Sequence, residues 1–238
     1  MSARWIRNLL GNGLLYAGLT LNASYVLAAE PTGSFTRTIY LVRHGSYTSD
    51  PAAKPDVGPP LTPLGVAQAR LVAARLKGMP HFDSLTSSKM LRAMQTAAVV
   101  HESLPDVPTA SSALLSECTP PALVKLSDDP PAQSNACSQR LDAAFAQFFV
   151  PAKEDEKNDV LVCHGNVIRY FATKALGVDT RTWFKMSVAH TSVTTIRVGG
   201  DGSFKVLGLG DVGHVPPPLQ SSGSDADPQL FSPSVAAF

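Results

Sequence analysis

The sequence has no excess of charge of either sign. Its 20 Lys and Arg against 19 Asp and Glu give a formal net charge of +1 over 238 residues. Domains that bind nucleic acid usually concentrate basic side chains on one face, so this balance argues against nucleic acid as a partner. Charged residues make up 16% of the chain and hydrophobic residues 44%, which is ordinary for a globular domain with a substantial core.

Cysteine is scarce, and the chain has no cluster of metal-ligating residues at a recognisable spacing. The three cysteines are Cys118, Cys137 and Cys163, and their spacing matches no zinc pattern. We therefore expect no metal and no other cofactor. Cys163 lies in an apolar run and is expected to be a small buried hydrophobe. Cys118 and Cys137 lie in a loop-rich region and can pair in an oxidising compartment, if their Cα atoms come close enough.

The N-terminal segment, residues 1–28, has the composition of a secretory signal peptide. A short basic start is followed by residues 9–27, which carry no charge, and Val26-Leu27-Ala28 fits the small-residue rule for cleavage. We therefore expect a periplasmic or secreted protein. The alternative is retention of this segment as a membrane anchor. If it is cleaved, we expect no stable membrane association.

Residues 29–215 are predicted to form one α/β domain, and residues 216–238 a disordered tail rich in Pro and Ser. Strands alternate with helices before a final β pair, which predicts three layers, α/β/α, around a mixed and mainly parallel sheet. The predicted strands are 36–43, 82–86, 112–115, 160–163, 191–198 and 204–209. The predicted helices are 63–78, 89–104, 135–149 and 166–176.

Two histidines follow two apolar runs, each directly before a glycine. Arg43-His44-Gly45 ends the run Ile39–Val42, and His164-Gly165 ends the run Val160–Cys163. Ligands bind at the carboxyl ends of the strands in α/β sheets, so the two imidazoles can face one pocket. One can attack phosphorus there while the other helps to hold the anion.

A phosphate monoester needs an uncharged nucleophile, neutralised oxygens and a proton for its leaving group. Histidine provides the nucleophile near neutral pH. Arginine provides the positive charge that neutralises the oxygens. Arg43 lies beside His44, and Arg92 lies near the start of a predicted helix. Glu117 is the one acidic side chain that directly follows an apolar stretch in the middle of the chain, and a carboxyl with a raised pKa can deliver the proton.

Four ordered motifs resemble the histidine phosphatase superfamily, also called the phosphoglycerate mutase-like family. They are Leu41–Gly45, Leu61–Ala69, Ser87–Ala97 and Val162–Asn166. The resemblance implies that His44 is the nucleophile that becomes phosphohistidine, that Arg43, Arg92 and His164 form the phosphate pocket, and that Glu117 is the proton donor. It also places His190 at the pocket rim, where relatives carry Asn, and Asp50 where many relatives carry an Asn that contacts phosphate.

A closer resemblance is to the mitochondrial serine/threonine protein phosphatase branch of that family. It is carried by Cys163–Tyr170 and Gly210–Pro217. The resemblance implies a metal-independent histidine acid-type phosphatase, with a phosphorylated small molecule or a phosphoprotein as substrate. The alternatives are a phosphoglycerate mutase-like phosphoryl transferase and a catalytically silent protein-binding module on the same fold. The sequence leaves the oligomeric state open.

Overall fold

A six-stranded mixed sheet organises the computed structural model, which describes residues 35–79 and 81–222. The strands are β1 (Arg37–Arg43), β2 (Ser84–Ser88), β3 (Thr109–Ser112), β4 (Lys157–Cys163), β5 (Val193–Val198) and β6 (Phe204–Asp211). Their spatial order is β3-β2-β4-β1-β5-β6. The first four are parallel, and β5 and β6 are antiparallel to their neighbours. The predicted mixed, mainly parallel sheet is confirmed. The predicted N-terminal segment 1–28 lies outside the described residues.

Two pairs of helices cover the two faces of the sheet. The helices are α1 (Pro63–Lys77), α2 (Leu91–Ser103), α3 (Pro131–Phe148) and α4 (Gly165–Ala175). Side chains of β1 alternate between the faces, as strand geometry requires. Tyr40 and Val42 pack in the cluster that contains α1 and α2, whereas Ile39 and Leu41 pack in the cluster that contains α3 and α4. The three fully buried aliphatic side chains among these, Ile39, Leu41 and Val42, each contribute about 1.5–3 kcal/mol to stability.

The start of α1 forms as the sequence predicts. Thr62 is the N-cap, and its Oγ1 accepts a hydrogen bond from the Gly65 N–H at 3.1 Å. Pro63 occupies the first helical position, where its missing N–H costs nothing. The Thr62 N–H also donates to the Ser46 carbonyl oxygen, and this hydrogen bond holds the first turn of α1 next to the end of β1.

Several predicted boundaries are wrong by two to four residues. β2 is Ser84–Ser88 rather than 82–86 and β4 begins at Lys157 rather than at 160, and β3 and α3 also differ. The strand predicted at 112–115 lies instead at Thr109–Ser112, which is β3. Residues 113–115 form a 3₁₀ turn that buries Leu115. β3 is an edge strand of small polar residues, so no apolar alternation marks it. α3 begins at Pro131 rather than at Asn135, because Pro is compatible with the first helical position even in a loop-like composition.

The first residues of the segment predicted as a tail, 216–222, are described by the structure and have defined contacts. Residues 217–219 form a 3₁₀ turn, and Ser221 hydrogen-bonds to Gln68 and His190. These are tertiary contacts with residues far away in the chain, so composition alone does not reveal them. Residues 223–238 of the predicted tail lie outside the described residues.

The two cysteines that the sequence allows to pair are joined. Cys118 and Cys137 form a disulfide with a Cα–Cα distance of 5.8 Å. It ties the chain just after Glu117 to α3. Cys163 is a buried free thiol, as predicted, and burial raises its pKa.

Candidate active site

The two predicted histidines follow neighbouring parallel strands. Arg43 at the end of β1 is in register with Cys163 at the end of β4, so His44 and His164 leave the sheet at the same level. Their ring centroids lie 5.0 Å apart, and both side chains are buried. His190 arrives from the segment before β5, with its ring 5.4 Å from that of His44. The three imidazoles therefore share one buried site at the carboxyl edge of the sheet.

The loop after His44 rests directly on the first turn of α1, which explains two glycines of the motifs. A Cβ added to Gly45 would lie 2.4 Å from the Gly65 carbonyl oxygen, and a Cβ added to Gly65 would lie 2.1 Å from the Ser46 carbonyl oxygen. Side chains do not fit at such distances. The Ser46 N–H also donates to Gln68 Oε1 at 2.8 Å, so α1 fixes this loop from two positions.

His44 is held in one tautomer. Its Nδ1 lies 2.8 Å from the carbonyl oxygen of Gly45, which can only accept, so Nδ1 carries the proton. Nε2 is then the unprotonated nitrogen, and its lone pair accepts a hydrogen bond from Arg92 Nε at 3.1 Å. Burial lowers the pKa of His44 well below its ordinary value, and nearby His164 and Arg43 lower it further. The imidazole is therefore neutral, with its basic nitrogen facing Arg92.

Arg92 stands at the start of α2, between His44 and an aromatic ring. Its guanidinium carbon lies 4.6 Å from the centroid of Tyr47, a cation–π contact. Thr96, one turn later, donates to the Arg92 carbonyl oxygen and accepts from the Gly45 N–H. Burial lowers the pKa of Arg92, but a guanidinium keeps its charge at neutral pH.

Arg43 places a second positive charge in the site. Its Nη1 donates to the Val188 carbonyl oxygen at 2.6 Å, and its buried Nε has no hydrogen-bond partner among the described residues. Burial lowers its pKa to about 10, which leaves it charged at neutral pH. Two guanidinium groups beside a neutral imidazole form a site for a dianion.

His164 is oriented by a serine of the Ser87–Ala97 motif. Its Nε2 lies 2.8 Å from Ser88 Oγ, which already accepts the Met90 N–H. The hydroxyl hydrogen of Ser88 is thus available to His164 Nε2. The other ring nitrogen, Nδ1, is buried without a partner among residues 35–222. Burial and the charges of Arg92 and Arg43 lower the pKa of His164, so it is neutral.

Glu117 lies close to this cluster, after the 3₁₀ turn that follows β3. Burial raises the pKa of its carboxyl, against the opposing pull of Arg92 and Arg43. Its Oε1 accepts from the Cys118 N–H at 3.1 Å. Arg140 of α3 donates to the carbonyl oxygens of Ser116 and Glu117, which fixes the backbone here. The site therefore has a carboxyl that stays protonated to a higher pH than usual.

A strained residue connects His190 to the His44 loop. Thr191 has φ of +57°, in the left-handed region that β-branched residues rarely adopt. Its N–H donates to the carbonyl oxygens of Arg43 and His44, at 3.1 and 3.3 Å. Such a conformation costs about 1–3 kcal/mol and persists where its surroundings enforce it. Here it sets the position of the preceding imidazole.

All six predicted site residues come together, and Asp50 does not join them. The six are Arg43, His44, Arg92, Glu117, His164 and His190. Asp50 is exposed and its Oδ1 accepts from the Ala52 N–H within its own loop. Its charge is therefore engaged away from the imidazoles.

Sequence reasoning missed several residues that orient the predicted ones. They are Tyr47, Gln68, Ser88, Thr96, Arg169 and Ser221. Gln68, Ser88, Thr96 and Arg169 lie inside the quoted motifs, which is the signal that could have found them. Arg169 sits on α4, where a helical pattern favours solvent, yet its guanidinium stacks over Trp183 at 4.8 Å and donates to Asn166. Nothing in the sequence marks Ser221.

The part of the chain that the structure describes comprises residues 35–79 and 81–222. It holds no group of three or more His, Cys, Asp or Glu side chains placed to bind a metal ion. None of the helices within residues 35–222 has the length and apolar character needed to span a membrane.

Comparisons with known proteins identify the family and the fold. The family model described as histidine phosphatase superfamily (branch 1) matches residues 39–134 and 128–211. The mitochondrial serine/threonine-protein phosphatase Pgam5 of Caenorhabditis elegans is 36% identical over 202 residues, covering 80% of this chain and 68% of that protein. The mitochondrial serine/threonine-protein phosphatase PGAM5 of Xenopus laevis is 34% identical over 196 residues, covering 76% and 67%. The crystal structure of phosphoglycerate mutase from Bacillus anthracis str. Sterne shares the fold, with a TM-score of 0.60, 22% identity, and coverage of 77% and 96%.

The comparisons overturn the expected signal peptide and the periplasmic or secreted location. Both relatives are named mitochondrial. The physical reason is that a basic, acid-free start before an uncharged stretch is shared by several kinds of targeting segment. Mitochondrial transit peptides are also rich in Arg and poor in acidic residues, and composition does not separate the kinds.

Proposed function

This chain belongs to the histidine phosphatase superfamily, and on that premise we propose that it is a metal-independent phosphomonoesterase with His44 as nucleophile. One observation carries the proposal. The Gly45 carbonyl holds the proton of His44 on Nδ1, so the Nε2 lone pair lies at the site beside two arginines. A nucleophile of this kind needs no metal-bound water, because the imidazole is already uncharged and basic at Nε2.

In the first step, the Nε2 lone pair of His44 attacks phosphorus and the P–O bond to the leaving group breaks. The departing oxygen takes the proton of Glu117. Charge on the three remaining phosphoryl oxygens is balanced by Arg43 and Arg92, with neutral His164 as a hydrogen-bond donor. The products are an alcohol and a phosphohistidine.

In the second step, a water oxygen attacks phosphorus and the P–N bond breaks, returning the lone pair to His44. Glu117, now a carboxylate, takes the proton from that water and is ready to act as an acid again. Inorganic phosphate leaves. The same carboxyl works as acid and then base, which a raised pKa favours.

Hydrolysis fits the site better than transfer between two substrate phosphates. A mutase must hold a second phosphate, which requires further cations. The two nearby arginines outside the phosphate pocket, Arg140 and Arg169, donate to protein acceptors instead. A catalytically silent binding module would not need the neutral imidazole, the two arginines and the buried acid together.

We place phosphoserine and phosphothreonine in proteins first among substrates. The support is the likeness to relatives named serine/threonine-protein phosphatases. A surface feature is consistent with a polypeptide substrate, since the loop that follows Glu117 exposes Leu123, Val124 and Leu126. A phosphorylated small molecule is the alternative.

The test is hydrolysis of p-nitrophenyl phosphate and of matched phosphoserine and phosphothreonine peptides, each with and without EDTA. We expect phosphate release from all three, unchanged by EDTA and abolished in His44→Ala. Activity lost in EDTA would contradict metal independence. Activity on the nitrophenyl ester and on small sugar phosphates but not on peptides would assign the enzyme to metabolites.

A further inference from the structure

We propose that Gln68 and Ser221 hold His190 as the tautomer protonated on Nε2, which makes His190 a neutral hydrogen-bond donor to the phosphoryl group. The inference rests on the proposed phosphatase site. It gives a positioning role to Gln68 of α1 and to Ser221, which follows the predicted domain in the sequence.

The orientation of the Gln68 amide is fixed by its partners. Its Oε1 accepts from the Ser46 N–H at 2.8 Å, and a backbone N–H can only donate. The NH₂ end therefore faces the C-terminal segment. Its two hydrogens have two acceptors there, the Leu219 carbonyl oxygen at 2.7 Å and Ser221 Oγ at 2.9 Å. Gln68 is fully buried, and these are its hydrogen-bond partners among the described residues.

The proton of the Ser221 hydroxyl then has one evident destination. Ser221 Oγ accepts from Gln68, and it lies 2.8 Å from His190 Nδ1. If the hydroxyl donates to Nδ1, both groups are satisfied and the imidazole proton must be on Nε2. The backbone supports this arrangement, because the His190 N–H donates to the Ser221 carbonyl oxygen at 2.8 Å. Residue 221 is thus bound to residue 190 twice.

The Nε2 atom of His190 has no partner in the described protein, although it is buried. A buried N–H without an acceptor is costly and needs a ligand or water to satisfy it. The ring lies beside His44, where the phosphoryl group is expected. Burial and the charges of Arg43 and Arg92 lower the pKa of His190 to about 2, so the ring enters the site uncharged.

His164 is arranged in the same way, which strengthens the inference. Each of these two imidazoles has one nitrogen at 2.8 Å from a serine hydroxyl, and each serine also accepts an N–H, from Met90 or from Gln68. The remaining nitrogen of each ring is buried and unpartnered among residues 35–222. Ser88 and Ser221 thus orient the rings of His164 and His190 as neutral hydrogen-bond donors, while Arg43 and Arg92 supply the positive charge.

The experiment reads the tautomer directly. The full chain is labelled with ¹⁵N in its histidine rings, and long-range ¹H–¹⁵N spectra at pH 7 assign the protonated nitrogen of His190. The variants are Ser221→Ala, which removes the hydroxyl, and Ser221→Thr, which keeps it. Ser138→Ala on α3, whose Oγ donates to the Asn135 carbonyl oxygen of the same helix, is the matched control. Inorganic phosphate is the probe ligand.

We expect a protonated Nε2 in the wild type, the Ser138 control and Ser221→Thr, with an Nε2–H signal that shifts on addition of phosphate. In Ser221→Ala we expect mixed tautomers and about a tenfold lower kcat/KM for phosphate esters, the order of effect of losing one hydrogen bond at the transition state. A wild-type ring protonated on Nδ1, or an unchanged tautomer in Ser221→Ala, overturns the proposal. The spectra do not depend on turnover. If the protein hydrolyses no ester, the proposed function is refuted, but the tautomer of His190 can still be determined from the spectra.

Discussion

Arg92 Nε donates a hydrogen bond to His44 Nε2 across 3.1 Å. The nitrogen that is proposed to attack phosphorus is therefore already occupied in the free protein. The interaction also opposes protonation of His44, because a cation at this distance disfavours a second positive charge. When a dianion enters, the guanidinium has better acceptors in the phosphoryl oxygens, and its movement toward them would release the lone pair.

Removal of the nucleophile is the first prediction. His44→Ala should lower kcat on the order of 10³-fold or more, because no other described imidazole has its Nε2 lone pair held toward Arg92. Acid-labile, base-stable label trapped from a radioactive phosphate ester should map to His44. His81→Ala, at an exposed histidine outside the site, is the control and should keep the label. Substantial activity or label in His44→Ala would show that the nucleophile lies elsewhere.

The second prediction concerns the replacement of Arg92 by lysine. Arg92→Lys should lower kcat/KM about a hundredfold, because a point charge replaces neither the planar fork nor its two hydrogen bonds to phosphoryl oxygens. The affinity for vanadate should fall in parallel. Arg70→Lys, on the exposed side of α1, is the matched control. Wild-type vanadate affinity in Arg92→Lys would remove Arg92 from the phosphate pocket.

The residues that sequence reasoning found are those whose signal is local. Thr62 and Pro63 start α1 by their own chemistry, and His44 and His164 are marked by the apolar runs before them. Parallel neighbours in an α/β sheet then bring the two histidines together without further information. The pair of histidines was therefore predictable once these strands were recognised, whereas His190 was reached only through the family resemblance.

The residues that it missed depend on contacts across the chain. Ser221 reaches His190 over 31 positions and Gln68 over 153, and its own surroundings have the composition of a tail. The position of β3 was missed because small polar residues on an edge strand carry no periodic signal. Location was misjudged for a related reason, since composition does not distinguish one targeting segment from another.

The third prediction concerns the leaving group. Burial raises the pKa of Glu117, so the acid form persists to higher pH and is lost as pH rises through that value. For alkyl phosphates, kcat/KM should therefore fall above the raised pKa, and Glu117→Gln should lose about 10²–10⁴-fold. For p-nitrophenyl phosphate the loss should be small, because that leaving group needs no proton. Glu102→Gln, exposed on α2, is the control. Equal losses on both esters would move the acid role to another residue.

The fourth prediction concerns stability against pH. Burial keeps His44, His164 and His190 neutral in the folded chain, whereas the unfolded chain takes up a proton on each below about pH 6.5. The unfolded state then binds more protons, so the free energy of unfolding falls as pH drops from 6.5 to 5, with a slope that approaches about 1.4 kcal/mol per pH unit for each histidine. The raised pKa of Glu117 acts in the opposite direction and reduces the total slope, whereas the lowered pKa of His214 adds to it.

Urea unfolding at several pH values measures this slope. His190→Gln should reduce it by about 1.4 kcal/mol per pH unit, because one proton-binding difference is removed. His81→Gln, at an exposed position, should leave it unchanged. A free energy of unfolding that does not change between pH 6.5 and 5 would mean that the site histidines bind protons equally in both states.

The last prediction concerns the disulfide beside the proposed acid. Cys118 and Cys137 are 19 residues apart, and the bridge joins α3 to the residue after Glu117. Replacing both by serine should lower the free energy of unfolding by about 3 kcal/mol, the loop-closure value for a loop of this size. If the bridge also positions the carboxyl, the double variant C118S/C137S should lose more activity on alkyl phosphates than on p-nitrophenyl phosphate, as Glu117→Gln does. Dithiothreitol should lower the activity of the wild type on alkyl phosphates to that of this double variant, and it should leave the activity of the variant unchanged. Equal losses on both esters would show that the bridge stabilises the fold without orienting Glu117, and Arg140, which donates to the Glu117 carbonyl, would then be the residue that fixes it.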